Sequence, residues 1–196
     1  MLDFIVNKIS NSITYIIPTS NQNECYIVDC GDVEKIISKG WLIKGVLLTH
    51  AHADHIYGIN ELLDRFPDAL IYTNEEGKSG LLNPRWNLSH YHYDLQDIVI
   101  RKTENIHVLN DECMLELSGN IQVDVMFTPG HDSSCITYRI VDCLFTGDSY
   151  IPGVKVVSTF PRSNKQQAEQ SLVRIHNLEN SGVKIMSGHW LPEYEK

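Results

Sequence analysis

Long hydrophobic runs are missing from this sequence of 196 residues, and their absence excludes several classes of protein. No apolar stretch reaches the length of about 18 residues that a membrane-spanning helix needs. The first residues, Met1–Lys8, also lack a basic segment followed by a long apolar run, which argues against a secretory leader. We therefore expect a soluble cytoplasmic protein that does not act at a membrane.

Positive charge is also scarce. The chain has 16 lysines and arginines against 25 aspartates and glutamates, which gives a formal net charge of −9. The basic residues form no run, so the electropositive surface of a nucleic-acid-binding protein is missing. We expect no nucleic-acid partner and a small-molecule substrate. The sequence does not indicate an oligomeric state.

The cysteines lack any pattern that indicates a disulfide framework or a metal site. They are five in number, none follows the CxxC spacing, and they lie in strand-like segments. Free, buried thiols are therefore predicted. These residues are Cys25, Cys30, Cys113, Cys135 and Cys143.

Length and patterning predict one domain, residues 1–196, since 42% apolar residues can bury a full core without a separate recognition domain. Alternating strand patterns recur along the chain, separated by segments of helical period. Asp32 is predicted to cap a short helix, and Ser163 is predicted to start a longer one, with Gln166 completing a capping box. The segment 83–99 has no clear period and is rich in aromatic residues, as is typical of a cleft wall.

The most informative segment is the corner between a strand and a helix at residues 46–66. An apolar strand pattern runs into it, and apolar residues recur at helical spacing after it. The corner holds three histidines and an aspartate within six residues, for which ordinary packing offers no explanation. These residues are His50, His52, Asp54 and His55.

Three further ligand-type residues stand in the same context elsewhere in the chain. His131 follows an apolar strand within Thr-Pro-Gly-His, Asp148 follows another within Thr-Gly-Asp, and His189 follows the last within Ser-Gly-His. Loops that converge at one sheet edge would place all seven side chains in one cleft. Five histidines and two carboxylates exceed what one tetrahedral ion uses, but they suit two divalent ions if one carboxylate bridges them. Zinc is the first expectation, and iron or manganese also fits these ligands.

With these motifs the chain resembles the metallo-β-lactamase superfamily over nearly its whole length. Thr-His-Ala-His-Ala-Asp-His matches the superfamily's H-x-H-x-D-H signature, and the other three loops match its remaining ligand positions. The resemblance implies an αββα sandwich, an α/β fold in which two mixed sheets pack face to face with helices outside. It also implies that one metal binds His50, His52 and His131, the other binds Asp54, His55 and His189, and Asp148 bridges them.

The resemblance further implies metal-assisted hydrolysis, in which a hydroxide shared by the two cations attacks the carbonyl of an ester or thioester. Asp54 would orient that hydroxide or accept its proton. The layout is most similar to the glyoxalase II-like branch. However, the chain ends seven residues after His189, without the helical domain that binds glutathione, and it lacks the Gly-Cys-Gly-Arg segment after the bridging aspartate. Glutathione thioesters are therefore not expected as substrates.

Alternative functions remain open at this stage. A persulfide dioxygenase-like oxidoreductase would hold a single iron on His50, His131 and Asp148. A non-catalytic metal-binding module has the same spacing, although catalytic sites keep an open coordination position. A flavodiiron oxygen reductase is not expected, because it would carry a glutamate in place of His52 and need a flavodoxin domain, and the scarcity of positive charge argues against a nuclease of the tRNA-processing kind.

Five polar residues outside the predicted metal site have open roles. Asp29, before a glycine turn, could support a metal ligand or cap the turn. His90 and His92 could bind metal, line a pocket or pack on the surface. Lys155 and Arg162 could meet an acidic substrate group or lie in solvent.

Overall fold

The computed structural model of the protein describes residues 2–191 and contains two mixed β-sheets. The strands of the first sheet are β1 (Asp3–Val6), β2 (Ile13–Pro18), β3 (Glu24–Val28), β4 (Leu42–Leu47), β5 (Leu70–Thr73) and β6 (Ile106–Val108). The strands of the second sheet are β7 (Met114–Leu117), β8 (Ile121–Phe127), β9 (Ile136–Ile140), β10 (Cys143–Gly147) and β11 (Lys184–Ser187). The predicted domain also includes residue 1 and residues 192–196, which lie outside the described part.

Helices lie on the outer faces of both sheets. They are α1 (Val33–Ile37), α2 (Ala53–Ile56), α3 (Ile59–Arg65), α4 (Glu75–Leu81) and α5 (Lys165–Glu179). Two single 3₁₀ turns, Ser89–Tyr91 and Thr103–Asn105, lie between α4 and β6. Within residues 2–191, no helix combines the length and apolar character that crossing a membrane requires.

The strand order explains where the helices lie. The first sheet runs β1-β2-β3-β4-β5-β6, antiparallel up to β3 and parallel from β3 to β6. Parallel neighbours need a crossover connection, and each of these connections carries a helix. The second sheet runs β11-β10-β9-β8-β7 and is antiparallel except for the pair β10–β11.

Alternation along the strands divides the core into layers. On β2 and β3, Ile16 and Ile27 face the helical layer, whereas Tyr15 and Val28 face the second sheet. A third cluster, formed by Leu144 with residues of α5 and the following loop, lies behind the second sheet. The molecule is therefore the four-layer αββα sandwich that the family resemblance implied, with one buried core between the first sheet and its helices and another between the two sheets.

One capping prediction was wrong, and the other holds only for the position of Asp32 as the N-cap residue of α1. Helix α5 is capped by Asn164, whose side chain accepts a hydrogen bond from the Gln167 N–H, and not by Ser163 with Gln166. Ser163 instead donates its hydroxyl to the carbonyl oxygen of His131. Asp32 does precede α1, but its side chain makes no capping hydrogen bond there.

The cysteine prediction holds in part. All five cysteines are free thiols. Cys25, Cys30 and Cys135 are fully buried, but Cys113 is exposed and Cys143 is half-buried, because both lie at or beside strand ends near the surface. Burial raises the pKa of the Cys25 thiol to about 12, so this thiol is inert at neutral pH.

Candidate metal centre

The histidines in the corner after β4 are buried because β4 is an interior strand of the first sheet. β4 lies between β3 and β5, so both of its edges are hydrogen-bonded, and its two faces are covered because Val46 packs into the helical-layer core and Leu47 into the core between the sheets. His50 and His55 are fully buried, and His52 is nearly so. The corner is anchored where the N–H of Ala53 donates to the carbonyl oxygen of Asn87, at 2.8 Å.

The second sheet supplies the remaining residues from the same edge. β10 and β11 are parallel neighbours, so the residues that follow them, Asp148 and His189, emerge side by side. Gly188 is required here, because a Cβ atom at this position would collide with Oδ1 of Asp148. His131 comes from the turn between β8 and β9 and reaches the same point.

The ligand atoms of the six residues other than Asp148 fall into two groups, and a third group joins Asp148 to His50 and His55. Those of His50, His52 and His131 lie within 4.8 Å of one another, as do those of Asp54, His55 and His189. Nδ1 of His52 is 3.0 Å from Nε2 of His131, and Nε2 of His55 is 3.2 Å from Nε2 of His189. Each group offers three converging donors.

Asp148 lies between the two groups. Its Oδ2 is 3.6 Å from Nε2 of His131 and 3.2 Å from Nε2 of His189, and its Oδ1 is 3.5 Å from Nε2 of His55. One carboxylate thus reaches histidines of both groups. The structure brings all seven of the predicted site residues into one cluster.

The second nitrogen of every histidine in the cluster faces an oxygen outside it. Four of these contacts are hydrogen bonds, which fix the ring orientation and the tautomer of a metal-binding histidine, whereas His52 Nε2 and Asp132 Oδ2 lie too far apart for one. The pairs are His50 Nδ1 with Thr49 Oγ1 (3.2 Å), His52 Nε2 with Asp132 Oδ2 (3.6 Å), His55 Nδ1 with Asp29 Oδ2 (2.8 Å), His131 Nδ1 with the Val157 carbonyl oxygen (2.9 Å) and His189 Nδ1 with the Ser10 carbonyl oxygen (2.9 Å).

Burial and neighbouring charges move the pKa values of the cluster apart. Burial, with the neighbouring His55 and His52, holds the pKa of His50 well below its usual value. Burial also lowers the pKa of His55, but the carboxylates of Asp54 and Asp29 outweigh it and raise the pKa to about 10. Burial would raise the pKa of Asp148, yet the surrounding histidines hold it well below normal. Asp148 is therefore a carboxylate at neutral pH.

The residues present fit a divalent metal. Nε2 of His50 and Oδ1 of Asp148 are buried and have no hydrogen-bond partner within residues 2–191. Leaving a buried polar atom unpaired costs about 1–3 kcal/mol, so such atoms call for an unseen partner. Imidazole nitrogen and carboxylate oxygen are suitable donors to zinc, iron or manganese.

The residues whose roles the sequence left open occupy different positions in the structure. Asp29 contacts His55, which supports the role of orienting a ligand. His90 pairs with Asp97 at the surface, away from the cluster. His92 lines the cleft beside the cluster. Lys155 is exposed.

Arg162 is neither open to a substrate nor free in solvent. Its guanidinium donates to Glu76 and to Ser133, with Nη2 2.8 Å from Oε2 of Glu76. It also lies over the ring of Trp86, at 5.2 Å. The residue therefore ties the loop before α5 to α4.

Two residues at the centre were missed from the sequence. Asp132 lies directly after His131 and is fully buried against His52, so its position next to a ligand was an available signal. Phe160 packs edge-on against both His52 and His131, at 5.3 and 5.6 Å between ring centroids. No local pattern marks Phe160, because its loop contacts the cluster only in the folded chain.

Comparison with known protein families supports this description. A family model described as the metallo-beta-lactamase superfamily matches residues 9–183. A hydroxyacylglutathione hydrolase of Buchnera aphidicola subsp. Schizaphis graminum is 26% identical over 152 residues, which cover 76% of this chain and 51% of that protein. One of Xylella fastidiosa (strain 9a5c) is 33% identical over 126 residues, covering 63% of this chain and 40% of that protein. The chain thus spans about half the length of these curated relatives or less.

Solved structures share the fold. The B3 metallo-beta-lactamase BLEG-1 superposes with a TM-score of 0.84 at 25% identity, covering 97% of this chain and 92% of its own. TTHA1623 in a di-iron-bound form gives 0.78 at 20% identity, with 96% and 92% covered. ETHE1 from Myxococcus xanthus gives 0.71 at 20% identity, with 98% and 76% covered.

Proposed function

The chain belongs to the metallo-beta-lactamase superfamily, and from this we propose that it is a dinuclear metal-dependent hydrolase of small-molecule esters or thioesters. The family match and the hydroxyacylglutathione hydrolases among its relatives support hydrolysis. The observation that carries the dinuclear proposal is the place of Asp148, whose carboxylate lies within 3.6 Å of histidines from both groups. A carboxylate between two cations offsets their mutual repulsion.

Each residue of the cluster has a proposed role. His50, His52 and His131 would hold the first ion, Asp54, His55 and His189 the second, and Asp148 both. Zinc is the proposed metal, with iron or manganese as substitutes. When bound, such ions polarise a carbonyl group and lower the pKa of a water molecule towards neutrality.

Asp54 is proposed as the catalytic carboxylate. It lines the cleft, and its side chain keeps 18% exposure, whereas His55 beside it is fully buried. Its Oδ2 faces His189 at 3.5 Å and His55 at 3.8 Å. The other oxygen can orient an attacking water molecule and accept its proton.

A second candidate is a mononuclear iron oxidoreductase of the persulfide dioxygenase kind, built on His50, His131 and Asp148. The structural similarity to ETHE1 favours it. If this chain were such an oxidoreductase, its Asp54 would not bind the metal. The two proposals therefore assign different duties to one residue, and this residue can separate them.

The deciding experiment is Asp54→Ala in zinc-loaded, desalted protein. The dinuclear hydrolase should fall from about two bound zinc ions to about one, with hydrolysis reduced on the order of a hundredfold or more. Hydrolysis is measured on a panel of thioesters, lactones, β-lactams and phosphodiesters. Asp64→Ala, a change of the same type at a surface carboxylate on α3, is the control and should keep both ions.

A different result would favour the mononuclear oxidoreductase. If Asp54→Ala retains its full metal content, and the iron-loaded wild type consumes oxygen with a persulfide, the hydrolase proposal is wrong. In that case Asp54→Ala should lower metal affinity or activity by only about 10–100-fold, as expected for a residue that contacts the metal ligands without binding the metal.

A further inference from the structure

The cleft in front of the cluster has apolar walls. It encloses about 560 Å³, and the atoms at its floor belong to His52, Asp54, His131 and Asp148. Its walls are formed by Leu88, Tyr91, Val157, Phe160 and Pro161. Tyr91 is 61% exposed and Val157 46% exposed, so apolar surface remains uncovered beside a polar site. Exposed apolar surface of this kind, rimmed by polar groups, is typical of a ligand site.

One wall is continuous with the first group of ligands. The ring of Phe160 stands edge-on to His52 and to His131, while 36% of the residue stays exposed. A group bound against Phe160 would therefore lie directly beside the reacting carbonyl.

The wall opposite Phe160 contains a residue, Leu88, in an unfavourable backbone conformation. Leu88 has a φ of +66°, in the left-handed region that residues with a Cβ rarely adopt. Its neighbours hold it there, since Asn87 is fully buried and donates to the carbonyl oxygens of Gly80 and Ile98, and the N–H of Ser89 donates to Asn87. Strain that the surroundings maintain is concentrated at functional sites. Here it places an aliphatic side chain over the cleft.

Positive charge is missing from the walls. Among the described residues that line the cleft there is no lysine and no arginine. Arg162 adjoins Pro161, but its guanidinium pairs with Glu76 instead. His92 accepts a hydrogen bond at Nδ1 from the N–H of Asp94. Metal ions at the floor would attract the reacting oxygen, but they would not reach carboxylates carried further out on a substrate.

From these features, and resting on the proposed hydrolase function, we propose that the substrate is an uncharged ester or thioester with an alkyl or aryl group. That group packs between Leu88 and Tyr91 on one side and Val157 and Phe160 on the other. Peptidic thiols such as glutathione, which carries two carboxylates, are disfavoured as leaving groups. A carboxylate that moves next to apolar walls loses water and gains no partner, which costs free energy. The net charge of −9 on the protein also disfavours an anionic substrate, because like charges repel.

The test uses four thioesters and the zinc-loaded protein. Phenylacetyl and acetyl groups are each attached to N-acetylcysteamine, which is neutral, and to glutathione. We expect kcat/KM to be highest for phenylacetyl-N-acetylcysteamine, with a loss of about tenfold or more when the phenyl ring is removed. A comparable loss is expected when glutathione replaces the neutral thiol. Equal or better cleavage of the glutathione pair would overturn the substrate inference and leave the hydrolase proposal standing.

Binding is measured separately from catalysis. The non-hydrolysable thioethers S-phenethyl-N-acetylcysteamine and S-phenethylglutathione are titrated into the same zinc protein by calorimetry. If the neutral thioether binds more tightly but no thioester is cleaved, the preference of the cleft for an uncharged apolar group holds, whereas the hydrolase proposal and the assignment of that group to a substrate fail. If the neutral thioether does not bind more tightly than the glutathione thioether, the inference fails.

A matched pair of variants locates the apolar site. Tyr91 lines the cleft, whereas Tyr93, two residues away in the same loop, is fully exposed and outside it. Tyr91→Ala should raise KM for phenylacetyl-N-acetylcysteamine several-fold and leave the KM for the acetyl thioester nearly unchanged. Tyr93→Ala should behave as wild type. Identical behaviour of the two variants would place the aryl group elsewhere and overturn the inference.

Discussion

Oδ2 of Asp29 lies 2.8 Å from Nδ1 of His55, and both side chains are buried. The same carboxylate accepts hydrogen bonds from the N–H and the hydroxyl of Thr49. Asp29 itself has a φ of +59°. The carboxylate therefore fixes the ring that presents Nε2 to the second group of ligands.

Asp29→Asn should weaken the second zinc ion. The amide keeps the shape of the side chain but removes the charge that holds Nδ1–H of His55, so zinc affinity should fall about 10–100-fold. The measurement is competition with a chromogenic chelator for the second equivalent of zinc. Asp64→Asn, at a surface carboxylate on α3 that pairs with Arg101 outside the cluster, is the control. Equal affinities in the two variants would contradict the orienting role.

Asp132→Asn should weaken the first zinc ion in the same assay. Oδ2 of Asp132 lies 3.6 Å from Nε2 of His52, while Oδ1 accepts from the N–H of Ser134, a bond that asparagine can keep. Burial would raise the pKa of Asp132, but His52, the hydrogen bond from Ser134 and the charge of Arg162 together outweigh burial and lower it to about 2. Loss of the charge should cost about tenfold or more in affinity. The surface change Asp111→Asn should have no effect, and a shift confined to the second ion would refute this assignment.

Asp148→Ala should weaken both ions, whereas His189→Ala should spare the first. The reason is geometric, since Asp148 reaches histidines of both groups but the ligand atom of His189 converges only with those of the second. Metal analysis after zinc loading and desalting should give less than one equivalent for Asp148→Ala and about one for His189→Ala. Equal metal retention in the two variants would count against a bridging carboxylate.

Asp32→Asn should destabilise the metal-free protein at neutral pH. Burial raises the pKa of Asp32, but bonds from Lys35, from the Tyr57 hydroxyl and from the Lys8 N–H lower it below its usual value. A depressed pKa stabilises the fold above the unfolded-state pKa, near 4, and this contribution is lost as the pH falls through the folded-state pKa. We expect a loss of about 1–2 kcal/mol at pH 7.

Urea unfolding of chelator-treated wild type and Asp32→Asn measures this effect at pH 7, 5 and 4. The difference in the free energy of unfolding should be constant at the two higher values and begin to shrink at the lowest, where the unfolded chain takes up its proton. A difference that stays constant or grows as the pH falls would show that the charge of Asp32 does not contribute.

The strands and the seven ligand-type residues could be predicted because their signals are local, whereas the layered arrangement was implied by the family resemblance. A run such as Val46–Leu48 that ends in His50 is visible within a few residues, and so is the two-residue alternation that faces Ile16 to the helices and Tyr15 to the second sheet. Each ligand-type residue stands directly after such a strand. That these residues meet at one edge followed from the match of their motifs to the ligand positions of the superfamily, and not from local pattern alone.

The tertiary structure alone decided which residues surround the cluster. Phe160 reaches His52, and Arg162 pairs with Glu76, because α5 and its preceding loop pack back over the sheet edge. The choice of Asn164 over Ser163 as the cap follows from the same packing, since the Ser163 hydroxyl is already committed to the carbonyl oxygen of His131. Local periodicity determines which segments form strands and where polar residues leave them. Contacts between loops distant in sequence depend on how the layers pack, and that information is not present in any single stretch of the chain.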